Sequence, residues 1–179
     1  MLSKEDALRA YAAMMNTLDI DQIASLLADD FHYASQWVLA EIESKQAYLD
    51  YIGPKLLSIK TSGSKVWAEM ASLEREIPGP CAVMAQGSKD NLVSLVLAEV
   101  ANDKITRLDM CCAPSPHSAT RSGEYPGRQT ADDQPLPIDP NKVATSDRQT
   151  FNRFVNDLHS GQSIEQMSPA MQKWWRDRY

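Results

Sequence analysis

The chain opens on an apolar stripe at helical spacing. Leu8, Tyr11, Ala12, Met15 and Leu18 recur every three to four residues, which predicts an amphipathic helix. Ser3 stands before it with Asp6 three positions on, the pattern of a capping box in which each side chain satisfies the other residue's backbone N–H. Glu5 and Asp6 also suit the positive end of the helix dipole. Asp19 then caps a second predicted helix over residues 20–30, with Ile20, Ile23, Leu26 and Leu27 as its buried side. Residues 31–38 are aromatic-rich and read as a strand, followed by a second short strand within 39–44. Ser44 caps a third helix over 45–60. Gly53-Pro54 predicts a kink or break in it, because proline donates no backbone N–H and crowds the preceding turn.

The period then changes. Residues 65–77 alternate apolar and polar, as a half-buried strand does. Pro78-Gly79-Pro80 makes a turn, and residues 81–87, 92–100 and 105–113 read as three further strands separated by turns at 87–91 and 101–104. Helices first and a long hairpin meander afterwards predict an α+β fold. After Ala113 the texture shifts again. Residues 114–142 hold six of the ten prolines and read as a linker or wrapping arm. Residues 147–159 predict a helix with Phe151, Phe154, Val155 and Leu158 on one side, and Ser168-Pro169 opens a short final one. The expected organisation is therefore a domain over 1–113, an arm over 114–142 and a helical extension over 143–179.

Composition narrows the function classes. The 179 residues are 43% hydrophobic and carry a net charge of −6, the wrong sign for a chain whose main work is gripping a phosphate backbone. Residues 1–113 hold 10 Lys/Arg and 16 Asp/Glu, whereas 114–179 hold 8 of each, so the acidic character sits in the first domain. No nucleic-acid partner and no membrane span are expected. Three cysteines, Cys81, Cys111 and Cys112, do not make a disulfide framework. With no apolar leader in the first residues, the expected location is the cytoplasm.

The stretch AYAAMMNTLDIDQIASLLADDF, residues 10–31, and the closing hairpin NDKITRLDM, residues 102–110, resemble the nuclear transport factor 2-like superfamily, which includes ketosteroid isomerases and SnoaL-type cyclases. The likeness spans residues 1–113. It implies a cystatin-like cone, in which a curved antiparallel sheet is packed on three N-terminal helices, with the C-terminal helical extension added to it. It also implies a homodimer paired through the sheet face. In the isomerases a first-helix tyrosine donates to the developing oxyanion, and Tyr11 matches its position. Their general base falls on Ser35, which cannot take a proton from carbon without a base beside it. Their second oxyanion donor falls on Leu95, or on Val96 with a shift of one residue. The resemblance thus implies the fold without the isomerase chemistry.

By the same match Leu108, Met110 and Cys112 point into the cone with Leu95 and Leu97 beside them, and Arg107 and Asp109 point out together. Tyr11, Tyr33, Trp37, Tyr48, Tyr51 and Trp67 fall in elements that border the family's cavity, and with Met14, Met15, Met70, Met84 and Met110 they make either an apolar, adaptable pocket wall or a filled core with no cavity. The candidate ligand-binding set is Tyr11, Met15, Ser35, Trp37, Tyr51, Trp67, Leu95, Leu97, Leu108 and Met110. His32, His117 and His159 show no metal-ligand spacing, no cofactor fingerprint is present, and no metal or cofactor is expected. Three readings stay open. The first is a binder of a small hydrophobic molecule. The second is a cyclase, isomerase or dehydratase using Tyr11 with His32 or Asp109. The third is an immunity- or assembly-type interaction module that meets a protein partner through the acidic surface and the C-terminal tail with its Trp174-Trp175 pair.

Overall fold

In the computed structural model, residues 1–36, 40–75 and 77–128 are described. The chain divides into two units, Met1–Pro137 and Ile138–Tyr179. The predicted C-terminal helices and the Trp174-Trp175 pair lie outside the described residues, as does Trp37.

Helix α1 runs Lys4–Thr17 and starts as its sequence dictates: Ser3 Oγ accepts from the Asp6 N–H at 3.0 Å, and the Asp6 carboxylate accepts from the Ser3 N–H at 3.1 Å. It ends on Leu18 in the left-handed region (φ 53°), whose N–H caps the Met14 carbonyl. The second helix, α2, is one turn only, Asp21–Ala24. The predicted continuation is instead a turn at Ser25 and Leu26 followed by strand β1, Leu27–Ser35. The β6 backbone overrides the helical pattern there, since Ile105 N–H bonds the Leu26 carbonyl at 2.8 Å and Leu27 pairs with Ile105.

Strand β2 is Ala40–Ile42. Helix α3 is continuous over Lys45–Ser62, so Pro54 neither ends nor divides it. Gly53 beside it has open space where a side chain would stand, and the helix closes on Gly63 at φ 67°. The meander follows: β3 Val66–Leu73, β4 Gly79–Gln86, β5 Leu92–Ala101 and β6 Lys104–Cys111. A short 3-10 turn, Pro116–Ser118, leads to β7, Thr120–Arg121.

The strands form one curved sheet in the order β2-β1-β6-β5-β4-β3-β7. One pair departs from the antiparallel expectation: β1 lies parallel to β6. Helix α1 packs on β3, β4 and β5, and α3 packs on β1. Opposed residues share a face, so the registers sort the side chains. Phe31, Tyr33, Ser35, Met70, Met84, Val96, Ala98, Leu108 and Met110 lie on the face that meets the helices. Trp67, Glu69, Val83, Leu95, Leu97, Arg107, Asp109 and Cys111 lie on the other. That second face holds its own buried cluster, Ala71, Leu73, Cys81, Val83, Leu95 and Cys111, with Leu92, Leu97 and Ala119 packed against it.

Residues 120–128 run as a strap along the free edge of β3. Ser122 N–H bonds the Met70 carbonyl at 3.0 Å, and Met70 N–H bonds the Glu124 carbonyl at 2.9 Å. The buried Glu69 carboxylate accepts from Arg121 Nε, the Tyr125 hydroxyl and the Gly123 N–H at 2.7, 2.7 and 2.8 Å. That is how a charge is tolerated in a dry place.

Candidate functional site

Four tyrosines converge on the helix-covered face. Tyr11 comes from α1, Tyr33 from β1, and Tyr48 and Tyr51 from α3, where a spacing of three residues puts them on one side of the helix. The Tyr33 and Tyr48 ring centroids are 5.1 Å apart, Tyr33 and Tyr51 5.8 Å, and Phe31 meets Tyr48 edge-on at 4.9 Å. Such tilted and edge-to-face contacts suit the ring quadrupoles. Lys55 places its ammonium 5.7 Å from the centroid of Tyr51.

The hydroxyls are treated differently. Tyr33 donates to Met110 Sδ at 3.7 Å and also interacts with Ser35 and Tyr51. The Tyr48 hydroxyl is fully buried and has no hydrogen-bond partner among the described residues. Burial, joined by the neighbouring Tyr48 and Tyr51, holds the Tyr11 phenol well above the ordinary tyrosine value. Burial does the same for Tyr33, with Tyr51 and Tyr11 adding to it and Ser35 opposing, and for Tyr48, with Tyr33 and Tyr51 adding. All three are neutral phenols at physiological pH: they can donate a hydrogen bond, but they cannot serve as bases.

The candidate set divides across the sheet. Tyr11, Met15, Ser35, Tyr51, Leu108 and Met110 belong to the helix-covered side, and all but Tyr51 are buried. Leu95 and Leu97 do not join them. Leu95 pairs with Cys111 and Leu97 with Asp109, which puts both on the opposite face. The residue of β5 beside Met110 is Val96, which cannot donate a hydrogen bond either. Trp67 is likewise on the far face, opposite Ala85, with the Arg128 guanidinium 5.7 Å from its ring centroid.

His32 and Asp109 are also on the far face, in a polar cluster over β2, β1 and β6. His32 Nδ1 lies 2.9 Å from Glu41 Oε1, Arg107 Nη1 donates to the same oxygen at 2.6 Å, and Arg107 Nε donates to Asp109 at 2.9 Å. The Glu41 carboxyl is held below the usual range, first by His32 and then by Arg107. Arg107 is held protonated chiefly by Asp109. The expected outward facing of Arg107 and Asp109 is therefore found, and the pairing of Tyr11 with His32 or Asp109 is not formed, because the sheet lies between them.

Burial pushes the Cys81 thiol up to about 11 and raises Cys111 as well. Cys112 is exposed. No cluster of three or more potential metal ligands occurs among the described residues. No helix among them is long and apolar enough to cross a membrane.

Two anchors carry no motif in the sequence. Asn16 is buried on α1, and its Nδ2 donates to the Ala68 and Pro126 carbonyls at 2.8 and 2.9 Å while its Oδ1 accepts from the Ala68 N–H at 2.8 Å. Glu69 is the other. The only advance signal for either was its type: a polar residue at an apolar helix position, and a carboxylate inside a strand.

A helix pair, a first strand laid parallel to the last, a long helix and a four-strand meander together decide the architecture. The arrangement is a mixed α+β fold, similar to that of nuclear transport factor 2-like structures. Solved structures with a similar fold include a SnoaL-like protein of unknown function from Burkholderia thailandensis. It is 16% identical, covers 62% of this chain and 98% of its own, and has a TM-score of 0.46. A nuclear transport factor 2-like protein of unknown function from Cytophaga hutchinsonii is 13% identical over 64% of this chain and 95% of its own, at 0.42. An uncharacterized cystatin-fold protein from Novosphingobium aromaticivorans is 15% identical over 62% and 99%, at 0.43. No protein-family model and no curated protein matches the sequence.

Proposed function

We propose that the protein binds a small, uncharged, flat hydrophobic molecule against the tyrosine-lined face and does no acid–base chemistry there. The observation that carries this reading is the Tyr48 hydroxyl, buried among aromatic rings with no partner among the described residues. An unmet buried donor costs about 1–3 kcal/mol, and a bound molecule offering an oxygen would recover part of that. The aromatic rings and the Met110 thioether favour flat apolar bodies. Neutral phenols, with His32 and Asp109 on the other side of the sheet, favour binding over proton transfer.

Thermal unfolding of the full chain with naphthalene, naphthol and naphthoquinone tests it. The oxygenated compounds are expected to raise Tm and naphthalene to raise it less. In Tyr48→Phe the difference between them should shrink. A panel that leaves Tm unmoved at solubility-limited concentration sinks the reading.

A further inference from the structure

Helix α1 carries Tyr11 and Met15 into the tyrosine-lined face, and Asn16 follows directly. Apolar burial holds α1 on the sheet, but that force is non-directional and tolerates sliding. The three hydrogen bonds of Asn16 are directional. They join α1 to Ala68 of β3 and to Pro126 of the strap. The strap in turn is secured at Glu69, which gathers Arg121, Tyr125 and the Gly123 N–H on one buried carboxylate. Arg9, also on α1, donates to Glu124 at 2.9 Å. The strap thus reaches α1 at two places two turns apart.

We propose that residues 120–128 are a positioning element for the ligand face: by holding Asn16 they fix α1 against β3 and so set how tightly Tyr11 and Met15 close on a bound molecule. The inference rests on the ligand-binding reading for its consequence, though not for its mechanism. Glu69 is the residue to perturb. Its side chain is on the opposite face of the sheet from the phenols and bonds the strap, so a change there does not touch the ligand face directly. Arg107 is on that same opposite face and bonds Asp109 and Glu41 rather than the strap, which makes it the control.

The test uses the full chain as Glu69→Gln, Tyr125→Phe and Arg107→Gln, with amide hydrogen exchange and Nile red fluorescence as readouts. Glu69→Gln is expected to speed exchange in 120–128 and in residues 11–17 by about tenfold, Tyr125→Phe by less, and Arg107→Gln in neither segment. Nile red should bind about fivefold or more weakly in the same order. Faster exchange in the strap with none in α1 overturns the proposal. If the unmodified chain does not bind Nile red, the ligand-binding reading loses its support, and the exchange comparison still decides the strap. Should Glu69→Gln fail to fold, Tyr125→Phe, which keeps the Arg121–Glu69 ion pair, decides it by the same exchange comparison.

Discussion

Asn16 and Tyr48 are opposite cases of a buried polar side chain. Asn16 has its amide fully used, so Asn16→Ala leaves the Ala68 N–H and carbonyl unpaired in a dry place. A loss of about 2–4 kcal/mol is expected, read as a lower urea midpoint at unchanged slope. Tyr48 has its hydroxyl unused among the described residues, so Tyr48→Phe is expected to gain about 1 kcal/mol in the absence of ligand. A loss instead would mean that the hydroxyl has a partner. The phenols were legible in the sequence because helical spacing is local: Tyr48 and Tyr51 share a face by arithmetic. Asn16 and Glu69 were not, because the groups they bond lie 52 or more positions away. Thiol reactivity belongs at this scale too. Cys112 is exposed, whereas burial raises Cys81 to about 11. Iodoacetamide at pH 8 should therefore label Cys112 first and Cys81 last, as peptide mapping would read.

Elements were legible where their pattern and their tertiary setting agree. The capping box of α1 and the three hairpins of the meander follow from residues a few positions apart. Residues 25–30 show the failure. Leu26 and Leu27 fit a helical stripe, but β6 presents an open row of backbone groups, and pairing with it wins. The same long-range pairing hides which residue of β5 faces the helices, since a slip of one position exchanges Leu95 for Val96. On the opposite face, Glu41 ties the three-residue strand β2 to His32 and Arg107. A carboxylate held below its unfolded value adds stability above that value and loses it as the pH falls through the folded one. Glu41→Gln is therefore expected to make unfolding less sensitive to acid below about pH 4.5, the ordinary glutamate value. The effect should be small, because the group is half-exposed.

At the scale of the molecule, the sheet is completed by bringing residues 27–35 beside 104–111 and by laying 120–128 along β3. No local pattern announces either. Both required coordinates, since the family resemblance implied an antiparallel sheet and an arm rich in proline and turn formers looks alike whether it packs or hangs free. Function follows the same division. The apolar, phenol-bearing wall could be read from residue types, while the separation of His32 and Asp109 from Tyr11 depends on which way each strand faces.

The strap has one more consequence, for solubility. Without it, Met70 and Ser72 would present a row of unsatisfied backbone groups on an edge strand, an invitation for another chain to pair there. Residues 120–128 and the Asn16 amide occupy those groups. A chain ending at residue 118 should keep its meander yet self-associate through β3, appearing in size-exclusion chromatography as concentration-dependent oligomers. The same chain with Ser72→Lys, a charge placed at the exposed end of that strand, should remain smaller. What holds the first helix in place also keeps one copy of the sheet from growing into the next.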